Sequence, residues 1–144
     1  MNATVSTAAR VSALAKFLEL KKSEYCEIEQ STHDETSFEY GRAEYLVLTD
    51  DEADDKARDY IADSLWAFNA SFLASETGFD EIIFTALQSK CEDANDSFRS
   101  LVDKSCGMDS FAESAVSADG RGHFLSQYDG NENEAGKFFI YRTS

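Results

Sequence analysis

The sequence has no proline, and its 144 residues include only 7 glycines, 3 cysteines and 2 histidines. Without proline, helices can run without forced breaks, so glycine and capping residues must mark the ends of most elements. Three cysteines without a C-x-x-C pair do not indicate a disulfide framework, and they suit a reducing compartment. His33 and His123 lie far apart in the sequence, so we expect no metal site.

Long apolar runs are also missing. No stretch approaches the roughly 18 apolar residues that a transmembrane helix needs. The N-terminal residues, MNATVSTAARVSALAKFLEL, carry polar side chains throughout, where a signal peptide would need an unbroken apolar segment. The sequence therefore predicts a protein that neither spans a membrane nor is exported, with a location in the cytoplasm of a host cell.

Basic residues are scarce. There are 13 of them against 28 acidic residues, which gives a formal net charge of −15. Such a field repels nucleic acid and anionic membranes, so we expect the protein to bind neither directly. Its natural partners are basic surfaces, and the commonest large ones belong to proteins that bind DNA or RNA. The alternative is that the charge only keeps the protein in solution.

Apolar residues are present in the amounts that a folded protein needs. Hydrophobic side chains make up 42% of the chain and aromatic ones 12%, including 11 Phe and 6 Tyr. A chain of this length with this much apolar area predicts one domain over residues 1–144.

The N-terminal part of the chain predicts one helix followed by strands. Apolar residues recur at helical spacing from about Thr4 to Lys21. The segment at 24–30 alternates in the manner of a strand. SFEY and AEYLVLT, separated by Gly41 and Arg42, are typical of a β-hairpin.

The middle of the chain predicts a series of helices. Thr49 and Glu52 form a capping box, which begins a helix that should run to about Phe68. A short helix over 70–77 should end at Gly78. A long helix should follow from Asp80 to Gly107, with a break near residue 91, and its spacing predicts buried thiols at Cys91 and Cys106.

The C-terminal part predicts a helix over Asp109–Ser117 and then a second hairpin, with HFLSQY and KFFIYRT as strands. Hairpins at both ends with helices between them predict an α+β fold. In this fold a small antiparallel sheet packs against several helices.

The helix after Thr49 has two faces. By helical spacing an acidic stripe runs along one side, at steps of about 6 Å, and comprises Asp51, Asp55, Asp59 and Asp63. Apolar and small residues collect on the other side, namely Ala53, Ala57, Tyr60, Ile61, Ser64 and Phe68. Trp66 falls within the acidic sector, where an aromatic ring among carboxylates could meet an Arg-rich surface. The alternative for Trp66 is that the following NASFLASETG segment covers it.

Further acidic residues cluster elsewhere in the chain, at Glu92, Asp93 and Asp96, at Asp129, Glu132 and Glu134, and at Glu27, Glu29, Asp34, Glu35 and Glu39. If such groups share one face, their carboxylates could imitate the phosphates of DNA. Runs of charge are also common on ordinary solvated faces. The candidate partner-binding residues are therefore Asp51, Asp55, Asp59, Asp63, Trp66, Glu92, Asp93 and Asp96.

Catalytic fingerprints are absent. The sequence has no G-x-S-x-G, phosphate loop, dinucleotide fingerprint or H-E-x-x-H, so we predict no catalytic residue, no cofactor and no enzymatic activity. Arg121 and His123 lie in the segment DGRGH, which could pair a base with an anion-binding backbone nest or form a structural turn. A small enzyme that uses His123 with Asp119 is the weakest alternative.

Two segments carry a resemblance. The stretch from about Glu44 to Gly78, EYLVLTDDEADDKARDYIADSLWAFNASFLASETG, together with DGRGHFLSQYDG, resembles small acidic uncharacterised proteins of phages and mobile elements. The resemblance implies a genomic setting in which such proteins inhibit host defence, as anti-CRISPR and antirestriction proteins do. It assigns no role to any residue.

Taken with the charge, the resemblance leads to one main functional hypothesis. The protein is expected to be a non-enzymatic phage or plasmid protein, in part a DNA mimic, that blocks the nucleic-acid-binding surface of a host CRISPR effector or restriction enzyme. An acidic scaffolding module that binds through a hydrophobic face is the first alternative.

Overall fold

The computed structural model describes residues 5–144. Its α-helices are α1 (Thr7–Phe17), α2 (Asp50–Asp63), α3 (Ala70–Thr77), α4 (Glu81–Gln88), α5 (Asn95–Lys104), α6 (Met108–Asp119) and α7 (Arg121–Leu125). Short 3₁₀ turns cover Lys22–Glu27, Leu65–Ala67 and Cys91–Ala94. The strands are β1 (Glu29–Gln30), β2 (Ser37–Tyr40), β3 (Ala43–Thr49), β4 (Asn133–Ala135) and β5 (Phe138–Arg142).

The strands form one antiparallel sheet in the order β1-β2-β3-β5-β4. Two-residue turns connect β2 to β3 and β4 to β5, and the glycines at these turns, Gly41 and Gly136, have positive φ angles of 64° and 63°. Glycine adopts this left-handed conformation without a steric penalty, which suits tight hairpin turns. The predicted α+β fold, with strands from both ends of the chain, is confirmed.

The chain divides into two compact units, one of residues up to Asp55 together with Arg121–Ser144, and one of Lys56–Gly120. The first contains the whole sheet, and the second contains helices α3 to α6 and the last part of α2. The boundary falls within α2. The single domain over 1–144 stays a prediction.

Helix α1 packs on one face of the sheet in the first unit. Leu14 and Ala15 of α1 are fully buried with Phe38, Val47 and Ile140 of three adjacent strands. These side chains form a continuous apolar cluster, whose burial is the main source of stability for this unit.

Aromatic rings fill the interior of the second unit. Phe84 of α4 stacks on Phe98 of α5 with ring centroids 5.8 Å apart, and Phe111 of α6 meets Phe68 and Phe72 edge to face. Such ring pairs stabilise a helical interior beyond the burial of their area. The second unit thus has an apolar interior of its own.

Most predicted boundaries agree with the structure. The first helix is shorter than predicted, at Thr7–Phe17, and Thr4 lies outside the described residues. The helix over 70–77 is confirmed, and Gly78 ends it in the left-handed conformation with φ 81°. The long helix breaks near residue 91 as predicted, where Cys91 has φ 52°. The prediction of buried thiols was wrong for Cys91, which is exposed, and Cys106 is only partly buried.

One strand prediction was wrong, and the one over 24–30 was right only for Glu29–Gln30, which form β1. Most of 24–30 forms a 3₁₀ turn, because the Glu24 carboxylate accepts a hydrogen bond from the Lys21 N–H and begins the turn. HFLSQY begins in α7, where the consecutive residues Phe124 and Leu125 are both buried. A strand would direct these two side chains to opposite faces.

The part of the chain that the structure describes contains no helix with the length and apolar character of a membrane span.

Candidate functional site

Helix α2, which carries the acidic stripe, begins where the sequence predicts. The Thr49 N–H donates to Glu52 Oε1 at 2.8 Å, and the Glu52 N–H donates to Thr49 Oγ1 at 3.3 Å, which completes the capping box. Arg10 also binds both Glu52 oxygens, each at 2.7 Å. The hydrogen bond from Arg10 is the main cause that lowers the pKa of Glu52 below its ordinary value.

The two faces of α2 differ in burial. Ala53, Ala57 and Ile61 are fully buried, as predicted for the apolar face, although Tyr60 of the same predicted set is 41% exposed. The acidic stripe, Asp51, Asp55, Asp59 and Asp63, is exposed along its whole length. Its first two residues belong to the first unit and its last two to the second.

Trp66 does not lie on α2, because the helix ends at Asp63 instead of near Phe68. The residue occupies the following 3₁₀ turn, where two side-chain amides hold its backbone. Asn95 Oδ1 accepts from the Trp66 N–H at 3.2 Å, and Gln88 Nε2 donates to the Trp66 carbonyl at 3.4 Å. Trp66 is half-buried.

Asn95 brings two of the predicted acidic segments together. Besides binding Trp66, its Nδ2 donates to the Ala62 carbonyl at 2.8 Å, so the end of α2 lies against the start of α5. Exposed acids flank this contact on both segments. We name this group the junction cluster, and its members are Asp63, Trp66, Glu92, Asp93 and Asp96.

A second acidic group crosses the sheet of the first unit. In the strand register Glu29 pairs with Glu39, and Glu39 pairs with Glu44. Directly opposite residues on antiparallel strands point to the same face with about 5 Å between neighbours. All three are exposed, and we call them the glutamate row.

The sequence indicates Glu29 and Glu39 as acidic but gives no reason to join Glu44 to them. Only the strand register does so, because a shift of one residue would turn Glu44 to the opposite face. Tyr40, the residue after Glu39, also lies near acidic side chains. Its pKa is raised first by burial and then by the negative charges of Glu24 and Glu27.

Arg10, Arg58 and Arg121 form salt bridges with other acids. Arg10 binds Glu52, and Arg58 binds Asp109. Arg121 binds Asp50, Asp54 and Glu132. Within residues 5–144 none of these ion pairs includes a member of the junction cluster or of the glutamate row.

Arg121 is the centre of a structural network in the first unit. It donates to Asp50 Oδ1 at 2.7 Å and to Glu132 Oε1 at 2.7 Å, and it lies 4.6 Å from the centre of the Phe139 ring. Burial alone would lower the pKa of Arg121, but its hydrogen bonds to Asp50 and Glu132 raise it above the ordinary value. Its side chain is only 10% exposed, so it is not placed to bind an external anion.

Tyr141 completes this network by donating a hydrogen bond to Glu132. Burial first, and then that hydrogen bond, raise the pKa of Tyr141. The sequence offers no signal for this group beyond the segment that contains Arg121. Its contacts join α7, the start of α2 and the C-terminal hairpin.

His123, the residue of the enzyme alternative, is exposed on α7 with its ring edge-on to Phe124 at 5.0 Å. Asp119 is the last residue of α6 and belongs to the second unit, whereas His123 belongs to the first. In residues 5–144 no group of three or more His, Cys, Asp and Glu side chains is arranged to hold a metal ion.

Comparisons of the chain with protein-family models, with curated proteins and with solved structures find no match.

Proposed function

We propose that this protein binds a basic, nucleic-acid-binding surface of a host defence complex, such as a CRISPR effector or restriction enzyme, and blocks its access to DNA. It acts as a binding protein and not as an enzyme. The observation that carries this proposal is a set of exposed carboxylates on neighbouring segments of the fold, none of which takes part in the salt bridges of residues 5–144. The junction cluster and the glutamate row are the two examples.

The arrangement of charge supports binding more than solubility. Solubility requires only net charge, which scattered acids supply equally well. The glutamate row instead holds like charges directly opposite each other, which destabilises a sheet. Arg10 and Arg121 of the same unit are engaged with Glu52, Asp50, Asp54 and Glu132. Binding of a cationic surface would relieve the repulsion that remains.

Trp66 adds an aromatic group to the junction cluster. Tryptophan beside carboxylates can contact arginine through both its ring face and the neighbouring charges. Tryptophan and arginine are also the residues most enriched where interfaces gain their affinity. A basic protein surface therefore matches this cluster better than a metal ion or a small anion does.

The direct test is competition with DNA. A guide-loaded CRISPR effector and a restriction enzyme, each purified, are bound to fluorescent duplex DNA, and the anisotropy is followed as the protein is added. We expect release of DNA from a sensitive enzyme. The affinity for that enzyme should fall steeply between 50 and 300 mM salt, about ten-fold or more, because charge-driven association is screened.

Two sets of substitutions locate the surface. The junction variant carries Asp63→Asn, Glu92→Gln, Asp93→Asn and Asp96→Asn, and the row variant carries Glu29→Gln, Glu39→Gln and Glu44→Gln. The matched control neutralises four exposed acids outside both groups, with Glu19→Gln, Glu35→Gln, Glu113→Gln and Asp119→Asn.

We expect at least one of the two surface variants to weaken binding about ten-fold, and the control to weaken it no more than about two-fold. Equal losses of affinity in the junction, row and control variants would mean that binding depends only on net charge. An affinity that is the same at low and high salt would contradict the proposal. Capture from host lysate, with the junction variant as the negative control, identifies the partner if neither purified enzyme responds.

A further inference from the structure

Helices α4 and α5 of the second unit enclose an apolar groove that the acidic surfaces do not explain. The groove has a volume of about 490 Å³ and is lined by Ile83, Ala86, Leu87, Ser97, Ser100 and Leu101. Small residues on both sides leave room between the larger aliphatic ones.

Ile83, which lines the groove, and its neighbour Ile82 are exposed aliphatic side chains. Ile82 is 71% exposed and Ile83 is 41% exposed, both in the first turn of α4. Single exposed apolar residues are ordinary on protein surfaces, but adjacent ones that continue into an apolar groove indicate an interaction site.

The segment that carries the groove has more acidic than basic side chains. The segment from Asp80 to Lys104 carries six exposed acids, Asp80, Glu81, Glu92, Asp93, Asp96 and Asp103, and three exposed bases, Lys90, Arg99 and Lys104. On α5, helical spacing places Asp96 and Asp103 on the solvent side of Ser100, at the rim of the groove. Lys104 follows on the groove side at the end of the helix.

We propose that this groove binds one amphipathic helix of the partner, with apolar residues in the groove and lysines or arginines toward the acidic rim. The inference rests on the proposed function, because it assumes a basic protein partner. Grooves between helices commonly accept an apolar helix face through anchors spaced three or four residues apart. Helix α4 has 8 residues and is about 12 Å long, which corresponds to two turns of a partner helix.

A second copy of the chain fits the groove less well. Each copy carries a net charge of −15, and the acidic rims of two copies would face each other across the contact. Like-charge juxtaposition opposes association, whereas a basic helix is attracted to the same rim.

The experiment uses the full chain and three synthetic peptides of fourteen residues. The first contains leucines at three- and four-residue steps with lysines between them. The second replaces its leucines with serine, and the third replaces its lysines with glutamate. Binding is followed by fluorescence anisotropy, and the site is mapped from amide chemical-shift changes of the isotope-labelled protein.

We expect the leucine–lysine peptide to bind, with the largest shifts at Ile83, Ala86 and Leu101. Both other peptides should bind at least about ten-fold more weakly. Ala86→Glu should also weaken binding about ten-fold, because a longer side chain would fill the groove. Ala118→Glu adds the same charge to an exposed position on α6 and should leave the affinity unchanged.

The outcomes separate this inference from the proposed function. If the serine–lysine peptide binds equally well, or if Ala86→Glu binds unchanged or more tightly, charge alone attracts the peptide. The groove inference then fails while the proposed function stands. Equal binding of the leucine–glutamate peptide, or concentration-dependent dimers that Ala86→Glu abolishes, would also overturn the inference. Since Ala86 is exposed, the variant should fold, and the shift map of the unsubstituted protein tests the groove independently.

Discussion

Among single residues, Arg10 and Glu52 form the most buried ion pair described in the first unit. The Arg10 side chain is 4% exposed, and besides both Glu52 oxygens it binds the Val47 carbonyl at 2.7 Å. A buried guanidinium without its carboxylate would remain desolvated and uncompensated. This pair therefore makes stability depend on the charge of Glu52.

Replacing Glu52 with Gln should destabilise the protein at neutral pH but not in acid. Glutamine keeps the shape and can keep the hydrogen bond with Thr49, so the change isolates the charge. We expect a loss of roughly 2–3 kcal/mol at pH 7, below the value for a fully buried pair because the Glu52 side chain is 32% exposed. Denaturant unfolding of both proteins from pH 7 to pH 3 provides the measurement.

The sign of the pH dependence follows from the lowered pKa of Glu52. Its contribution is fully present above the ordinary value of about 4.5 and is lost as the pH falls through the lower folded value. The difference in free energy of unfolding between the unsubstituted protein and Glu52→Gln should therefore become smaller below about pH 4.5. A difference that stays constant with pH would show that the charge of Glu52 is not responsible.

Gly122 is the residue where a side chain is least tolerated. A Cβ atom there would lie 2.5 Å from the Gly130 carbonyl oxygen and 2.8 Å from the Asn131 carbonyl carbon. We expect Gly122→Ala to lower the free energy of unfolding by about 1–3 kcal/mol, because the neighbouring backbone must shift. Gly130→Asn is the control, since asparagine tolerates the φ of 72° and no atom lies within 4 Å of the added Cβ. Urea unfolding that gives equal losses for both would contradict the steric reason.

At the level of helices and strands, the correct predictions are those that depend on residues close together in the sequence. The capping box placed the start of α2, and the glycine-centred turn between SFEY and AEYLVLT placed β2 and β3. The predicted end of α2 was wrong because Asn95, which is distant in the sequence, binds the Ala62 carbonyl and the Trp66 N–H. Local spacing contains no information about that contact.

For the candidate site, too, local patterns were predictable from the sequence and contacts between distant residues were not. The acidic stripe on α2 follows from helical spacing, so its exposed side was predictable. The glutamate row requires the register of three strands, and the junction cluster requires the contact through Asn95. Both groups depend on tertiary structure, so the sequence indicated most of the residues but neither Glu44 nor the way in which they are grouped.

Asn95 should be necessary for the position of Trp66. In Asn95→Asp the acceptor for the Trp66 N–H remains, but the donor to the Ala62 carbonyl is replaced by a carboxylate oxygen. We expect a loss of about 1–3 kcal/mol from the unpaired carbonyl, with a red shift of tryptophan fluorescence. Asp96→Asn, an isosteric change at the exposed neighbouring residue, should produce neither effect. An unchanged spectrum and stability in Asn95→Asp would mean that other contacts hold the turn.

The glutamate row should weaken the sheet that carries it. Glu39 lies between two like charges, so Glu39→Gln should raise the free energy of unfolding by a few tenths of a kcal/mol at low salt. Glu35→Gln, on a neighbouring loop, is the control for a simple change in net charge. Thermal unfolding at 10 mM salt makes the comparison. If Glu39→Gln is less stable than the unsubstituted protein, the Glu39 carboxylate stabilises the sheet of the free protein and the expected repulsion is absent.

Across the whole molecule, the net charge of −15 predicts opposite effects of salt on folding and on binding. Raising salt from 10 to 200 mM shortens the screening length from about 30 Å to below 10 Å, which relieves self-repulsion. We expect the melting temperature to rise by about 3 °C or more, while the affinity for a basic partner falls. Calorimetry at both salt concentrations measures the first effect.

The four-substitution control variant, with Glu19→Gln, Glu35→Gln, Glu113→Gln and Asp119→Asn, should show a smaller rise in melting temperature because less repulsion remains to be screened. A melting temperature that falls with salt would indicate instead that attractive ion pairs, such as those of Arg10 and Arg121, dominate the electrostatics of folding.

The borders of the sheet limit the ways in which another protein can be recognised. The outermost strands, β1 and β4, contain only 2 and 3 residues, and each carries an exposed glutamate, Glu29 or Glu134. Short, charged outer strands are poor templates for a foreign strand. Recognition by strand addition, the mode in which main-chain hydrogen bonds supply the affinity, is therefore disfavoured in this fold. A partner of the kind proposed would then be contacted mainly through side chains, which single substitutions can test one at a time.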